Sequence, residues 1–230
     1  MKSTGKLLLC IPVFFLISCA TSQDTLKEEN WSPELRLQAG INHGGIVETT
    51  DLTSVEQVDV DGYTGATDPG FHAGAHVQLP LRKNSIETGL DYMYNSQSFQ
   101  FEDGLQQFRG SRKIGVSQLM MPLTYNIGFL QSHAEGGLFR VKLGLLFQYN
   151  ILQISDRGNQ LPEFSFNHFS NGVTLGIEST PFSLQNGARI GFYLDIYRGS
   201  QIYKDYYNQS SFEEPGSSFF KAGMIYHFKY

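Results

Sequence analysis

From Leu35 onward, apolar residues recur at every second position of this chain. Phe71, Ala73, Ala75, Val77, Leu79 and Leu81 alternate with His72, Gly74, His76 and Gln78. The last segment follows the same rule. Phe220, Ala222, Met224, Tyr226, Phe228 and Tyr230 share one parity, while Lys221, Gly223, His227 and Lys229 share the other. A period of two points successive side chains to opposite faces of an extended strand, so each such segment has one apolar and one polar face. Eight segments show the pattern, near 34–47, 70–81, 85–101, 114–127, 138–152, 165–180, 188–199 and 218–230. An even number of strands, each near the ten residues or so that a tilted membrane strand needs, fits a closed barrel across a bilayer.

The connections alternate as well. Those after the first, third, fifth and seventh segments are long, at about 48–69, 102–113, 153–164 and 200–217. Those after the second and sixth are short (82–84 and 183–187), and the one after the fourth, 128–137, is intermediate. This asymmetry predicts an all-β fold over 34–230: an eight-stranded antiparallel up-and-down transmembrane β-barrel with short periplasmic turns and long extracellular loops. A soluble eight-stranded barrel of the lipocalin type is the structural rival, because alternation does not say which face is wet. Against it stand the charges and glycines of the polar face and the chain's ending on Tyr230. The apolar face also collects Tyr92, Tyr94, Phe147, Tyr149, Tyr226 and Phe228 near strand ends, as an interfacial girdle would.

The first 20 residues read as an export signal. Lys2 and Lys6 precede the apolar run Leu7 to Ile17, which is too short to span a bilayer as a helix. Cleavage after Ala20 fits Ser18-Cys19-Ala20; Leu16-Ile17-Ser18-Cys19 equally fits a lipobox that would leave Cys19 lipidated. Residues 21–33 then form a polar periplasmic lead. Both cysteines, Cys10 and Cys19, fall in the signal, so the barrel has no thiol for a disulfide or a metal. After residue 20 no run approaches the roughly 18 apolar residues of a membrane helix. The mean hydropathy of -0.24 disfavours a helical membrane protein but not a barrel, whose alternating strands average out. A net charge of -5 without a basic cluster argues against nucleic acid. No heme, flavin or nucleotide motif occurs, and no cofactor is expected.

Five segments stand out in order along the strands: Leu37-Gln38-Ala39-Gly40-Ile41-Asn42, Gly70-Phe71-His72-Ala73-Gly74, Ile86-Glu87-Thr88-Gly89-Leu90-Asp91-Tyr92, Leu119-Met120-Met121-Pro122-Leu123 and the closing run Lys221 to Phe228. Together they resemble the PorT-like outer-membrane β-barrel family of Bacteroidota. The resemblance implies an outer-membrane barrel. It implies little about activity, since most members are described only as barrels and a few serve type IX protein secretion.

Assigning the polar parity to the lumen places Arg36, Arg140, Lys142, Arg189 and Lys221 inside with Glu87, Asp91, Glu178 and Asp195. An interior of eight strands is just wide enough for side chains to fill, and buried charges must pair. A structural charge network is therefore expected, with a narrow ion path as the alternative. His168-Phe169-Ser170-Asn171-Gly172 is similar to the His-x-Ser-Asn stretch of lipid A deacylase barrels. There a His activates a Ser nucleophile and a Glu orients the His, and positions i and i+2 of a strand do share a face. On the strand parity His168, Ser170 and Glu178 all face the lumen, away from any acyl chain. Residues 168 and 178 would also stand roughly 33 Å apart along one strand, so Glu178 could not orient His168. A polar strand start is the plainer reading.

The first long connection carries Glu48, Asp51, Glu56, Asp59, Asp61 and Asp68 without Lys or Arg. Asp59-Val60-Asp61-Gly62 resembles only the start of a calcium loop. Solvated loop charge is expected there, with loose divalent-cation binding beside lipopolysaccharide as the alternative; no dedicated metal site is expected. Tyr203, Tyr206, Tyr207 and Phe212 make the last long connection aromatic, which suits a partner-binding tip. The expected function is a non-enzymatic structural or interaction protein, with an accessory role in type IX secretion as one form of it; a lipid A deacylase-like hydrolase using His168 and Ser170, or a narrow ion path, is the alternative. The expected partners are outer-membrane lipid, lipopolysaccharide and an envelope protein met through the extracellular loops.

Overall fold

The computed structural model describes residues 32–47, 60–81, 84–103, 109–131, 138–158, 167–201 and 216–228. Eight antiparallel strands close into one barrel in chain order, β1 to β8, with β1 pairing back onto β8. They are β1 (Glu34–Val47), β2 (Val60–Leu81), β3 (Asn84–Asp103), β4 (Arg109–Gln131), β5 (Leu138–Gly158), β6 (Phe169–Ser183), β7 (Arg189–Gln201) and β8 (Gly216–His227). Closure leaves no sheet edge within the ring, which is what a bilayer demands of a β structure.

Alternation fixes which face is which. On β4, Leu119, Met121, Leu123 and Tyr125 are exposed, while Met120, Pro122, Thr124 and Asn126 are buried. The same division runs round the barrel. Leu37 and Ile41, Phe71 and Val77, Leu143 and Phe147, Leu175 and Ile177, Phe192 and Leu194 all point outward and stay exposed. Along β4 the outward run from Leu119 to Phe129 rises about 25 Å at roughly 3.3 Å per residue and a tilt near 40°. An apolar band of that height matches the hydrocarbon that outer-membrane barrels face. A lipocalin-type barrel would bury its apolar parity inside. Here the apolar parity is outside.

Aromatic rings bound the band. Tyr92 and Tyr94 both contact Phe71 at its upper edge, and Tyr149 packs on Phe169 nearby. Tyr226 packs edge-on against Phe228 at the opposite edge, near which Phe182 meets Phe192.

The strands differ from their sequence-based limits in one systematic way. β2 begins at Val60 rather than near 70, β3 runs to Asp103, β4 starts at Arg109, and β5 continues to Gly158. These additions all lie at the end with long connections. β1, β6, β7 and β8 are 14, 15, 13 and 12 residues long, whereas β2 to β5 have 20 to 23. Four strands therefore stand above the band as a wall. The backbone ladder continues there, with Gln100 opposite Ser111 and Lys113 opposite Ser155. Hydrophobic alternation fades above the band because both faces can meet water. In the other direction β6 starts at Phe169, four residues later than expected, because His168 sits in a bend.

Val60, Asp61 and Gly62 belong to β2, with Asp61 opposite Glu102. This extended segment is not the turn of a calcium loop. At the short-turn end, Gly187 closes the β6–β7 connection with a φ of 79°, and the Asn186 side chain accepts the Ala188 N–H at 3.0 Å.

Candidate functional site

The lumen is filled in tiers. At the short-turn rim, Arg189 pairs with Glu34 at 3.1 Å, and both side chains are partly exposed. Above it, Arg36 donates to Glu87 and to Glu178 and reaches Gln78 at 3.1 Å. Arg140 shares that Gln78 oxygen at 2.9 Å and stands 3.5 Å from Glu178. Asn126 donates to Glu87 at 2.8 Å, and His227 lies 3.4 Å from Glu178.

The next tier is bridged by His76, whose ring nitrogens sit 2.6 Å from Glu87 and 2.9 Å from Asp91. Lys221 and Gln38 also donate to Asp91, at 2.9 and 2.8 Å. Lys142 stands 2.8 Å from Asp195 and 5.0 Å over the Tyr193 ring, while His72 bonds the Tyr193 hydroxyl.

Four cations (Arg36, Arg140, Lys142, Lys221) thus face four carboxylates (Glu87, Asp91, Glu178, Asp195), all at most 8% exposed. Charges in so dry a space are tolerable only when paired and hydrogen-bonded, and here they balance one for one. Glycines make the room. A Cβ on Gly74 would lie 1.8 Å from an Asp91 carboxylate oxygen, and one on Gly176 would lie 2.0 Å from Asp195.

Above these tiers the interior turns apolar. Met93, Met120, Leu146, Tyr197 and Phe219 form one buried cluster, with Tyr197 and Phe219 stacked at 4.6 Å between ring centres. A neutral amide ladder follows. Tyr197 and Ser170 both donate to Gln148, each at 2.9 Å. Asn150 donates to Ser170 at 2.9 Å and accepts from Gln118 at 2.7 Å. The apolar cluster lies on the lumen parity, since Tyr197 follows Asp195 by two residues and Phe219 precedes Lys221 by two. That spacing is the signal that could have found it.

The lumen-facing placement expected for His168 does not hold. His168 lies in the bend before β6, is exposed, and stacks on Tyr149 at 5.9 Å. Strand parity does not extend into a bend. Its Nδ1 is 3.3 Å from the Asn150 carbonyl, whereas Ser170 is buried and donates to Gln148. Glu178 is engaged with Arg36 at the far end of β6. The geometry assembles no nucleophile, base and orienting acid from these three.

On the extracellular wall, Arg112 holds Asp156 through two bonds of 2.7 Å. These bonds, and burial acting against them, set the Asp156 carboxyl below its ordinary range. Asp68, expected to be a solvated loop charge, sits in β2 and accepts from Ser96 at 2.5 Å and Lys113 at 3.2 Å. These two bonds lower its pKa. Tyr203, Tyr206, Tyr207 and Phe212 lie outside the described residues, as do residues 1–31 with the export signal and lead. Among the described residues no cluster of three or more metal-ligating side chains occurs.

No protein-family model matches the chain, and no curated protein matches it either. Among solved structures, the chain is similar to the outer membrane protein OprG from Pseudomonas aeruginosa. The match has 10% identity and a TM-score of 0.43, and covers 86% of this chain and 97% of that one.

Proposed function

We infer that the chain is a non-enzymatic barrel of the outer membrane, a structural and interaction protein whose lumen is a plug and whose extracellular side is the working surface. The observation that carries this reading is the interior, where balanced charges bonded to one another lie beneath an apolar septum. Such filling favours a scaffold over an ion path, because the lumen charges are tied to one another and the septum above them is mostly apolar. The outward apolar band and the export signal support the outer membrane as its location. The resemblance of several segments to PorT-like barrels makes an accessory role in type IX secretion the specific form of the reading.

Deletion of the gene, followed by mass spectrometry of secreted and surface-attached proteins, tests that form. Loss of a defined set of surface proteins, restored by the intact gene, is the expected result. An unchanged surface proteome would overturn the accessory role.

A further inference from the structure

The outer face of the wall carries a strip of side chains that neither the lumen nor the apolar band uses. Directly above Leu119 and Tyr149, the outward positions of β4 are Ser117, Gly115, Lys113 and Ser111. On β5 they face Ile151, Gln153, Ser155 and Arg157 respectively. Two phenol groups reach the bottom of this strip. The Tyr92 hydroxyl is 3.2 Å from Ser117 Oγ, and the Tyr94 hydroxyl lies 3.3 Å from where a Cβ on Gly115 would stand. Two cations crown it. Lys113 and Arg157 are diagonal neighbours across the β4–β5 ladder, so the two positions stand roughly 7–8 Å apart on one face, their Cβ atoms somewhat closer. Arg157 is exposed and has no ion pair among the described residues. Lys113 is paired with Asp68, but the two side chains are 58% and 49% exposed, so the contact is screened and readily exchanged.

Height selects the ligand. Ile151 is the uppermost outward apolar residue of β5. At a tilt near 40°, the cations stand about 10–15 Å above it. The headgroup layer of an ordinary bilayer is only about 5–8 Å thick on each side. Cations at this height, over hydroxyls and a glycine that leaves the surface open, suit a taller headgroup with sugars and phosphates. We propose that the outer face of the β4–β5 wall binds the phosphorylated sugar headgroup of an outer-leaflet glycolipid. Its acyl chains would lie on Leu119, Met121 and Leu123 beneath. This inference rests on the membrane placement above but not on any role in secretion.

The test uses the full-length protein in phosphatidylethanolamine nanodiscs doped in turn with bis-phosphorylated lipid A, dephosphorylated lipid A or phosphatidylglycerol. Lipid retained per barrel after transfer to detergent is counted by native mass spectrometry. The wild type should retain bis-phosphorylated lipid A over both other lipids. Lys113→Gln/Arg157→Gln should weaken retention about 25-fold, the factor for two near-surface charges. Arg198→Gln removes another exposed outward cation, on β7 and away from the strip, and should leave retention unchanged. The inference is overturned if the double variant retains lipid A like the wild type, if Arg198→Gln costs as much as Arg157→Gln, or if the three lipids are held equally. Failure of the barrel to enter nanodiscs at all would instead overturn the membrane placement.

Discussion

Replacing Arg36 by Met removes a guanidinium that bonds both Glu87 and Glu178, carboxylates that are no more than 2% exposed. It also removes the bond to Gln78. A hydrogen bond to a charged partner contributes about 1.5–3 kcal/mol, and removing one member of a buried ion pair costs about 3–5 kcal/mol. The two pairs will not add. His76 stays 2.6 Å from Glu87 and Arg140 stays 3.5 Å from Glu178, so Glu87 keeps a polar partner and Glu178 a cationic one. The expected loss is therefore about 3–5 kcal/mol rather than twice that. Arg36→Met/Glu178→Gln restores the balance of lumen charge and should recover at least about 1.5 kcal/mol relative to Arg36→Met alone. Urea unfolding in lipid vesicles, followed by circular dichroism, reads both values, and heat-modified gel migration reports whether each variant still closes. A loss below about 1 kcal/mol for Arg36→Met would refute the reasoning. So would a double variant no more stable than the single one.

Gly74→Ala places a methyl group 1.8 Å from Asp91 Oδ1 and 2.7 Å from the Leu90 carbonyl. It should cost about 1–3 kcal/mol by the same unfolding assay. Met121→Arg, in the exposed apolar band, should cost about 2–4 kcal/mol. Ser155→Arg on the wall should stay within about 0.5 kcal/mol, and similar losses at the two sites would argue against the band. Ser170→Ala removes one bond each from the Gln148 and Asn150 amides, which keep Tyr197 and the Asn167 carbonyl as partners, and should destabilise by about 0.5–1.5 kcal/mol, with an unchanged lipid A mass spectrum in cells; a changed spectrum would revive the hydrolase reading. The Asp156 carboxyl is depressed from its ordinary 3.8 by Arg112, so the pair's contribution is full above that value and is lost as pH falls through the lower, folded one. Because Asp156 is largely exposed, that contribution is under about 1 kcal/mol; Arg112→Gln should flatten this part of the stability profile, and an unaltered profile would dissociate the two groups.

The ring of strands was legible because a membrane barrel enforces strict alternation: a one-residue slip would turn Lys142 or Asp195 into lipid. The same constraint marked the parity of Arg36, Glu87 and Glu178. It could not reveal which of them meet, because Arg36 and Glu178 come together only when β1 and β6 face each other across the closed lumen. The septum was obscured on β4, where Leu119-Met120-Met121-Pro122-Leu123 is apolar on both faces. The wall was missed for the opposite reason. Above the band neither parity must be apolar, so Ser, Lys and Gly on β4 read as a loop although the ladder continues. His168 shows where parity stops, since one bend frees a side chain from the alternation that its neighbour Ser170 obeys.

Single cysteines placed in turn at residues 111 to 126 of β4 test the central claim most directly, since the barrel's own sequence contains none. Each is spin-labelled, reconstituted in lipid vesicles, and probed with oxygen, which partitions into hydrocarbon, and with a water-soluble nickel chelate. The expected pattern is high oxygen contact at 119, 121, 123 and 125, with neither reagent reaching 120, 122, 124 and 126. At 111 and 113 the chelate should take over. Chelate contact at 121 and 123 equal to that at 113 would place the apolar face in water and contradict the account.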